Sequence, residues 1–299
     1  MRFLFVDRIV ALSPGEWIRG VKHITRDDSF LTNYEPGKTA FVSSLVGETL
    51  GQLAAWNVMQ HCNFTLRPVA GVVASARVYR PAYLGETLLL ESYIDALDER
   101  AVHYHSEARV GDELIFSIEG ALGPMLPMNE FIDSDTIRQQ FTEIYRPGDW
   151  AGVQLESTTT NTAPQLEGGL GAVAAPMLFD KILSCEPGVS LTAEKKITAA
   201  APYFVDHFPN KPVLPLTVLL ECKLNLALEF VGRSGLSKTY QVQEFRKIKM
   251  SDFVQPGDTL LCYVKVKQQT DNELVLSYRS EVAGKRVCVV DVVMVAKGK

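Results

Sequence analysis

FVDRIVALSPG, Phe5 to Gly15, returns later in the chain as LFDKILSCEPG, Leu178 to Gly188. Asp7 aligns with Asp180, Arg8 with Lys181, Ile9 with Ile182, and Pro14-Gly15 with Pro187-Gly188, an offset of 180 − 7 = 173. The same offset carries Lys22, Ile24 and Thr25 onto Lys195, Ile197 and Thr198, Pro36 onto Pro209, Lys38 onto Lys211, and Glu48 onto Glu221. No gap is needed over roughly forty positions, so the chain reads as a tandem repeat. Further on, Gly85-Glu86-Thr87-Leu88 matches Gly257-Asp258-Thr259-Leu260, with the offset now 172.

Each copy has the same internal order. A first strand ends at the Pro-Gly turn, WIRGVKHIT or SLTAEKKIT follows with enough alternation for a second strand, and a Pro-rich loop comes next. Then comes an apolar stretch at helical spacing: Leu45, Leu50, Leu53 and Ala54 in one copy, Val218, Leu219, Cys222 and Leu226 in the other. Strands close each copy: VASARVYRP, TLLLESYIDAL, RAVHYHSEARV and ELIFSIEGAL, then YQVQEFRKIKM, TLLCYVKVKQQ, ELVLSYRSEV and RVCVVDVVMV. Period-two alternation with short polar turns predicts antiparallel pairing. One helix wrapped by a curved antiparallel sheet is an α+β unit. The expected division is a first repeat over 1–125, a helix and flexible linker over 126–172, and a second repeat over 173–299. In the linker, FIDSDTIRQQFTEIY offers Asp133 or Ser134 as an N-cap to a short amphipathic helix, and ESTTTNTAPQLEGGLG reads as mobile chain.

With 299 residues, 46% hydrophobic and 22% charged, the composition is ordinary for globular proteins, and a formal net charge of −5 argues against a nucleic-acid binder. The five cysteines (62, 185, 222, 262 and 288) show no metal-ligand or CxxC spacing, which fits reduced thiols used as small apolar residues. MRFLFVDRIV is broken by Asp7 and Arg8 and reads as neither signal peptide nor membrane span, so the expected compartment is the cytoplasm, with no membrane association.

PYFVDHFPNKPVLPLTVLLE, Pro202 to Glu221, closely resembles the signature of the 3-hydroxyacyl-acyl-carrier-protein dehydratases of the FabZ and FabA type. That family's pattern is roughly H-F-P-x-x-P-V-x-P-G with an acid fourteen residues after the His, and His207 plus 14 is Glu221. The opening strand with its Asp-Arg pair and the FVQPGDTL segment, Phe253 to Leu260, match as well. The resemblance implies a double hot-dog fold in which the repeats form a pseudo-dimer, with further homo-oligomerisation left open. It implies a substrate carried by acyl-carrier protein or CoA, and neither metal nor other cofactor. In that family the His of one unit works with the acid of the other. The first copy has Tyr34 at the position of His207, since 34 + 173 = 207, and keeps Glu48. The resemblance therefore implies one composite site of His207 and Glu48, and a degenerate second site of Tyr34 and Glu221. Phe208, Val213, Pro215 and Leu216 would border the substrate. Where the family has Gly after the last proline this chain has Leu216, and the first copy has Ser43.

The residue types suit the chemistry. Removing a proton α to a thioester needs a base near neutrality, which His provides. Expelling a β-hydroxyl needs a proton donor, and a carboxyl in an apolar tunnel can hold a proton at neutral pH. Charge on the thioester oxygen can be met by a backbone N–H at a helix start. Other features read as less specific. His103 and His105 share one strand face without a third ligand. Lys195-Lys196, Arg246-Lys247 and Lys249 would suit an acidic carrier or serve as solvated strand charges. A non-catalytic acyl-binding module and a hot-dog thioesterase are the competing functional readings.

Overall fold

A computed structural model describes residues 2–35, 38–148, 177–236 and 240–296. The two Pro-Gly turns close two matching hairpins, β1 (Arg8–Ser13) with β2 (Trp17–His23) and β11 (Lys181–Glu186) with β12 (Ser190–Lys196). Gly15 and Gly188 hold φ of +79° and +74°, a backbone that L side chains rarely adopt. The first copy continues with α1 (Ser43–His61), β6 (Val72–Val78), β8 (Thr87–Leu97), β9 (Ala101–Val110) and β10 (Glu113–Pro127). The second continues with α3 (Leu216–Arg233), β13 (Tyr240–Met250), β14 (Thr259–Gln269), β15 (Glu273–Val282) and β16 (Lys285–Ala296).

All these strands join one antiparallel sheet in the order β1-β2-β8-β9-β10-β6-β13-β16-β15-β14-β12-β11. The second half of that order mirrors the first, element for element. At the seam Phe245 pairs with Ala76 and Ile248 with Val73. At the 172 offset Val73 corresponds to Phe245 and Ala76 to Ile248 (73 + 172 = 245; 76 + 172 = 248), so the two pairs exchange under the repeat. The chain is thus a double hot-dog, a curved sheet around two central helices. Pairing β6 to β13 also gives each an internal neighbour where it would otherwise be an exposed edge. The helices bury Leu45, Leu50, Leu53 and Trp56 from α1 and Val218, Leu219, Cys222, Leu226 and Phe230 from α3 into one core that runs through both copies. Gly20 permits the close approach of β2 to α1: a Cβ there would stand 2.8 Å from Leu53 Cδ1.

The loop after the second strand differs between copies. In the first it forms a small sheet of β3 (Leu31–Glu35), β4 (Lys38–Phe41) and β7 (Ala82–Tyr83), where the sequence suggested only a Pro-rich loop. LTNYE and KTAF alternate well enough to pair. In the second copy the equivalent residues make a 3-10 turn, Pro202–Val205, and an irregular loop. After the first copy, α2 (Ser134–Ile144) starts where Asp133 accepts from the Asp135 and Thr136 N–H groups at 3.0 Å. It buries Ile137 and Phe141, the latter 6.0 Å from the Trp56 ring. The flexible linker expected from the sequence falls largely on 149–176, outside the described residues. Among the described residues no helix is long and apolar enough to cross a membrane.

Candidate active site

His207 stands in the irregular loop between the 3-10 turn and α3. Its backbone N–H donates to the Tyr203 carbonyl at 3.0 Å, and its own carbonyl accepts from the Val213 N–H at 3.0 Å. The ring is fixed as well: Nδ1 lies 2.9 Å from the Val213 carbonyl. A carbonyl only accepts, so Nδ1 carries the proton and Nε2 is left with a lone pair. The Phe208 ring stacks on the imidazole at 4.1 Å, and Phe3 of the first copy meets its edge at 5.9 Å. The Phe3 N–H donates to Asp206 at 2.7 Å, so the N-terminal segment of one copy ties down the histidine loop of the other. Burial pushes the imidazole below its ordinary range, and Arg67 pushes the same way, while Glu48 and the Val213 carbonyl pull it back.

Glu48 sits in the second turn of α1. The Thr217 hydroxyl, from the first turn of α3, donates to Glu48 Oε2 at 2.6 Å. Gln52, one turn on, donates to Oε1 at 3.1 Å and to the Phe3 carbonyl at 3.0 Å, and accepts from the Phe5 N–H at 2.9 Å. Both carboxylate oxygens of Glu48 are therefore held, one from each copy.

His207 and Glu48 line the same cavity, which encloses about 160 Å³. Phe208, Val213 and Leu216 line it too; Pro215 does not, and serves instead as the N-cap residue of α3. No side chain caps that helix start, so its first N–H groups have no intrahelical carbonyl and no capping oxygen. The cavity runs along the small-residue face of α1, past Gly47, Gly51, Ala54 and Ala55, toward Val102, Phe116 and Ile118. A Cβ on Gly47 would stand 3.2 Å from Phe116, and one on Gly51 3.8 Å from the Tyr104 hydroxyl. At the repeat offset the second copy has Leu220 and Leu224 in those places (47 + 173 and 51 + 173), and both pack against the core.

The expected second site is arranged differently. Tyr34 lies in the β3–β4 hairpin and is 39% exposed, and neither it nor Glu221 lines the cavity. Glu221 faces Ser44, the counterpart of Thr217 (44 + 173 = 217). Burial pushes the Glu221 carboxyl up, against the opposing pull of the Ser44 hydroxyl and backbone N–H. The pseudo-symmetric carboxyls thus have unlike surroundings: Glu48 is held by Thr217 and Gln52 at the cavity, and Glu221 is buried against Ser44 outside it.

Two cavity residues escaped sequence reading. Arg67, on β5 (Leu66–Pro68), places its guanidinium 4.0 Å from the Phe208 ring centroid; burial lowers its pKa to about 10 against the pull of Glu48. Tyr104 is pushed up to about 12 by burial and then by Glu48. Arg67 follows α1 where the repeat offset passes from 173 to 172, and neither candidate counterpart, Tyr240 or Thr239, is basic, so the repeat does not single it out. Tyr104 was legible in principle, since Tyr104-His105-Ser106-Glu107 matches Tyr278-Arg279-Ser280-Glu281. Of the other candidates, His105 pairs with Asp95 at 2.8 Å and stacks on Tyr93. Among the described residues no group of three His, Cys, Asp or Glu side chains is placed to hold a metal. Arg246 is committed to Glu244 and Lys195 to the Leu178 carbonyl, which takes two of the basic residues out of any free patch.

A model of the FabA-like domain matches residues 174–292. A 3-hydroxyacyl-[acyl-carrier-protein] dehydratase FabZ from Rickettsia massiliae is 35% identical over 99 residues, 32% of this chain and 68% of that protein. The FabZ protein of Rickettsia bellii is 35% identical over 104 residues with the same coverage. Among solved structures, a putative oleoyl thioesterase from Lactobacillus plantarum superposes with a TM-score of 0.56 at 10% identity, covering 96% of this chain and 100% of the other. A hot dog fold protein of unknown function from Alicyclobacillus acidocaldarius gives 0.54 at 9% identity, covering 99% and 98%. At such identities these two likenesses concern the fold alone.

Proposed function

The chain belongs to the FabA/FabZ-type family of 3-hydroxyacyl-acyl-carrier-protein dehydratases, and on that premise we propose that it converts 3-hydroxyacyl thioesters to trans-2-enoyl thioesters at one composite site per chain. The observation that carries this reading is that His207 of one copy, with Nε2 unprotonated, and Glu48 of the other line a single apolar cavity.

His207 Nε2 takes the α-proton from C2 of the substrate. Glu48, held by Thr217 and Gln52, gives its proton to the departing C3 hydroxyl. The C2–H and C3–O bonds break, the C2=C3 bond forms and water leaves; proton exchange between imidazolium and carboxylate restores both groups. The thioester oxygen takes up charge in the transition state and accepts from a backbone N–H at the start of α3, at Leu216. A donor of this kind is worth about a hundred- to a thousand-fold in rate. Leucine supplies the same N–H as the family's glycine, and its side chain becomes part of the cavity wall. The carrier is acyl-carrier protein or CoA.

The test is to incubate the protein with 3-hydroxyacyl and trans-2-enoyl thioesters while following enoyl absorbance and free thiol together. Reversible hydration without thiol release is the expected result. Thiol release would replace the reading with a thioesterase, and acyl binding without either reaction would replace it with a binding module.

A further inference from the structure

Arg67 is a cation that the fold leaves without an acceptor. It lines the main cavity from β5, with its guanidinium 4.0 Å from the Phe208 ring centroid, and Phe208 stacks on the His207 imidazole at 4.1 Å. Its Nε is buried with no hydrogen bond, and among the described residues no carboxylate pairs with the guanidinium. Glu48 is the acid whose charge acts on it, and both Glu48 oxygens are already taken, by Thr217 and Gln52. Asp206, in the wall of a small adjoining cavity that Arg67 also borders, accepts from the Phe3 N–H instead. A buried charge is costly unless something pairs with it. Arginine presents five N–H donors in a fixed fork, and stacking on a ring uses none of them. At the repeat offsets the counterparts are Tyr240 and Thr239, so the cation accompanies the pairing of His207 with Glu48 and not its mirror.

We propose that the substrate supplies the acceptor: Arg67 is a further catalytic residue, donating to the oxygen on C3 that departs as water. This rests on the dehydratase reading for the reaction. Placement selects that oxygen. In the proposed reaction the thioester oxygen accepts at the start of α3, while the C3 oxygen faces Glu48. Arg67 stands on Phe208, next to the base, and its charge is felt by both His207 and Glu48. Arg67 gives up no proton. Glu48 supplies it, the C3–O bond breaks, and the guanidinium stabilises charge on the oxygen as it leaves.

The test is ligand binding to His207→Ala, in which turnover does not intervene. Dissociation constants are measured for a 3-hydroxyacyl thioester and for the saturated acyl thioester of the same length, with Arg67 intact and with Arg67→Met added. Methionine keeps most of the length and removes the donors and the charge. A hydrogen bond to a charged group is worth about ten- to a hundred-fold in affinity. Arg67→Met therefore cuts the preference for the hydroxylated ligand by about ten-fold or more, and leaves affinity for the saturated one nearly unchanged. A preference that survives Arg67→Met, or an equal loss for both ligands, overturns the proposal. Should Arg67→Met not fold, Arg67→Gln is the substitute: it keeps a neutral donor on a shorter side chain and must lower the preference in the same direction. If the wild type interconverts no 3-hydroxyacyl and enoyl thioesters, the dehydratase reading fails. The same pair of dissociation constants, taken in the wild type and Arg67→Met, then decides whether Arg67 holds the hydroxyl.

Discussion

Thr217→Val isolates the contact that joins the two copies at Glu48, the proposed acid. The substitution keeps a β-branched side chain at the start of α3 and removes one hydroxyl, whose 2.6 Å hydrogen bond to Glu48 Oε2 is lost. A hydrogen bond to a charged group contributes about 1.5–3 kcal/mol. Gln52 still holds the other oxygen, so Glu48 stays in place but is free to rotate about that single anchor. If the whole contribution is expressed in the transition state, kcat falls about ten- to a hundred-fold, at 1.36 kcal/mol per factor of ten. KM changes little, because the contact orients a reacting group and does not build the acyl wall. The assay is steady-state hydration of a trans-2-enoyl thioester, with Thr217→Ser as the rescue and Ser44→Ala as the mirror control. Thr217→Ser restores most of the rate. Ser44→Ala leaves it unchanged, since Ser44 faces Glu221, which does not line the cavity. A wild-type kcat in Thr217→Val, or equal losses in Thr217→Val and Ser44→Ala, would refute the asymmetric site.

Further expectations concern the ionisable groups. His207→Ala and Glu48→Gln each bring turnover close to background, while Glu221→Gln is mild; reversal of the two glutamates in a rate assay would sink the cross-copy assignment. Because burial holds His207 below its ordinary value of 6.5, the neutral base persists into mildly acidic solution and kcat/KM falls only below that pH. Arg67→Met removes a charge that pushes in the same direction, so the acid limb of the pH profile moves up. Glu221 shows the opposite linkage. Its carboxyl is raised in the fold, so stability is fully present below the unfolded value of 4.5 and declines as pH rises toward the folded value. Glu221→Gln should therefore flatten that decline and raise Tm at mildly alkaline pH, as read by calorimetry across a pH series.

Much of the fold was legible because a repeat tests each element against its copy. The paired Pro-Gly turns, the strand alternation and the acids at 48 and 221 all rest on local patterns that recur. The small β3–β4–β7 sheet was not legible, since its residues align without a gap to a loop that carries no strands in the second copy. There the outcome is set by what each segment packs against, and alternation over four or five residues cannot decide it. In the cavity, motif spacing singled out His207 and Glu48 individually, and the structure adds which groups hold them. Thr217 is an ordinary helix residue in sequence, and Arg67 sits on a three-residue strand. Both matter only because chain segments far apart in sequence converge. The glycines at 47 and 51 were present as a signal and could have been read against Leu220 and Leu224.

That last contrast makes the fusion difficult to reverse. A homodimer of second halves would have histidines in both loops, but leucines would fill the groove that Gly47 and Gly51 leave empty. A homodimer of first halves would keep the groove and have tyrosine where the histidine belongs. Each half has given up something only the other retains, so separating the genes would leave two proteins that need each other. The two copies thus differ at residues that hold equivalent places in the repeat, and the proposed site draws on what is distinct in each.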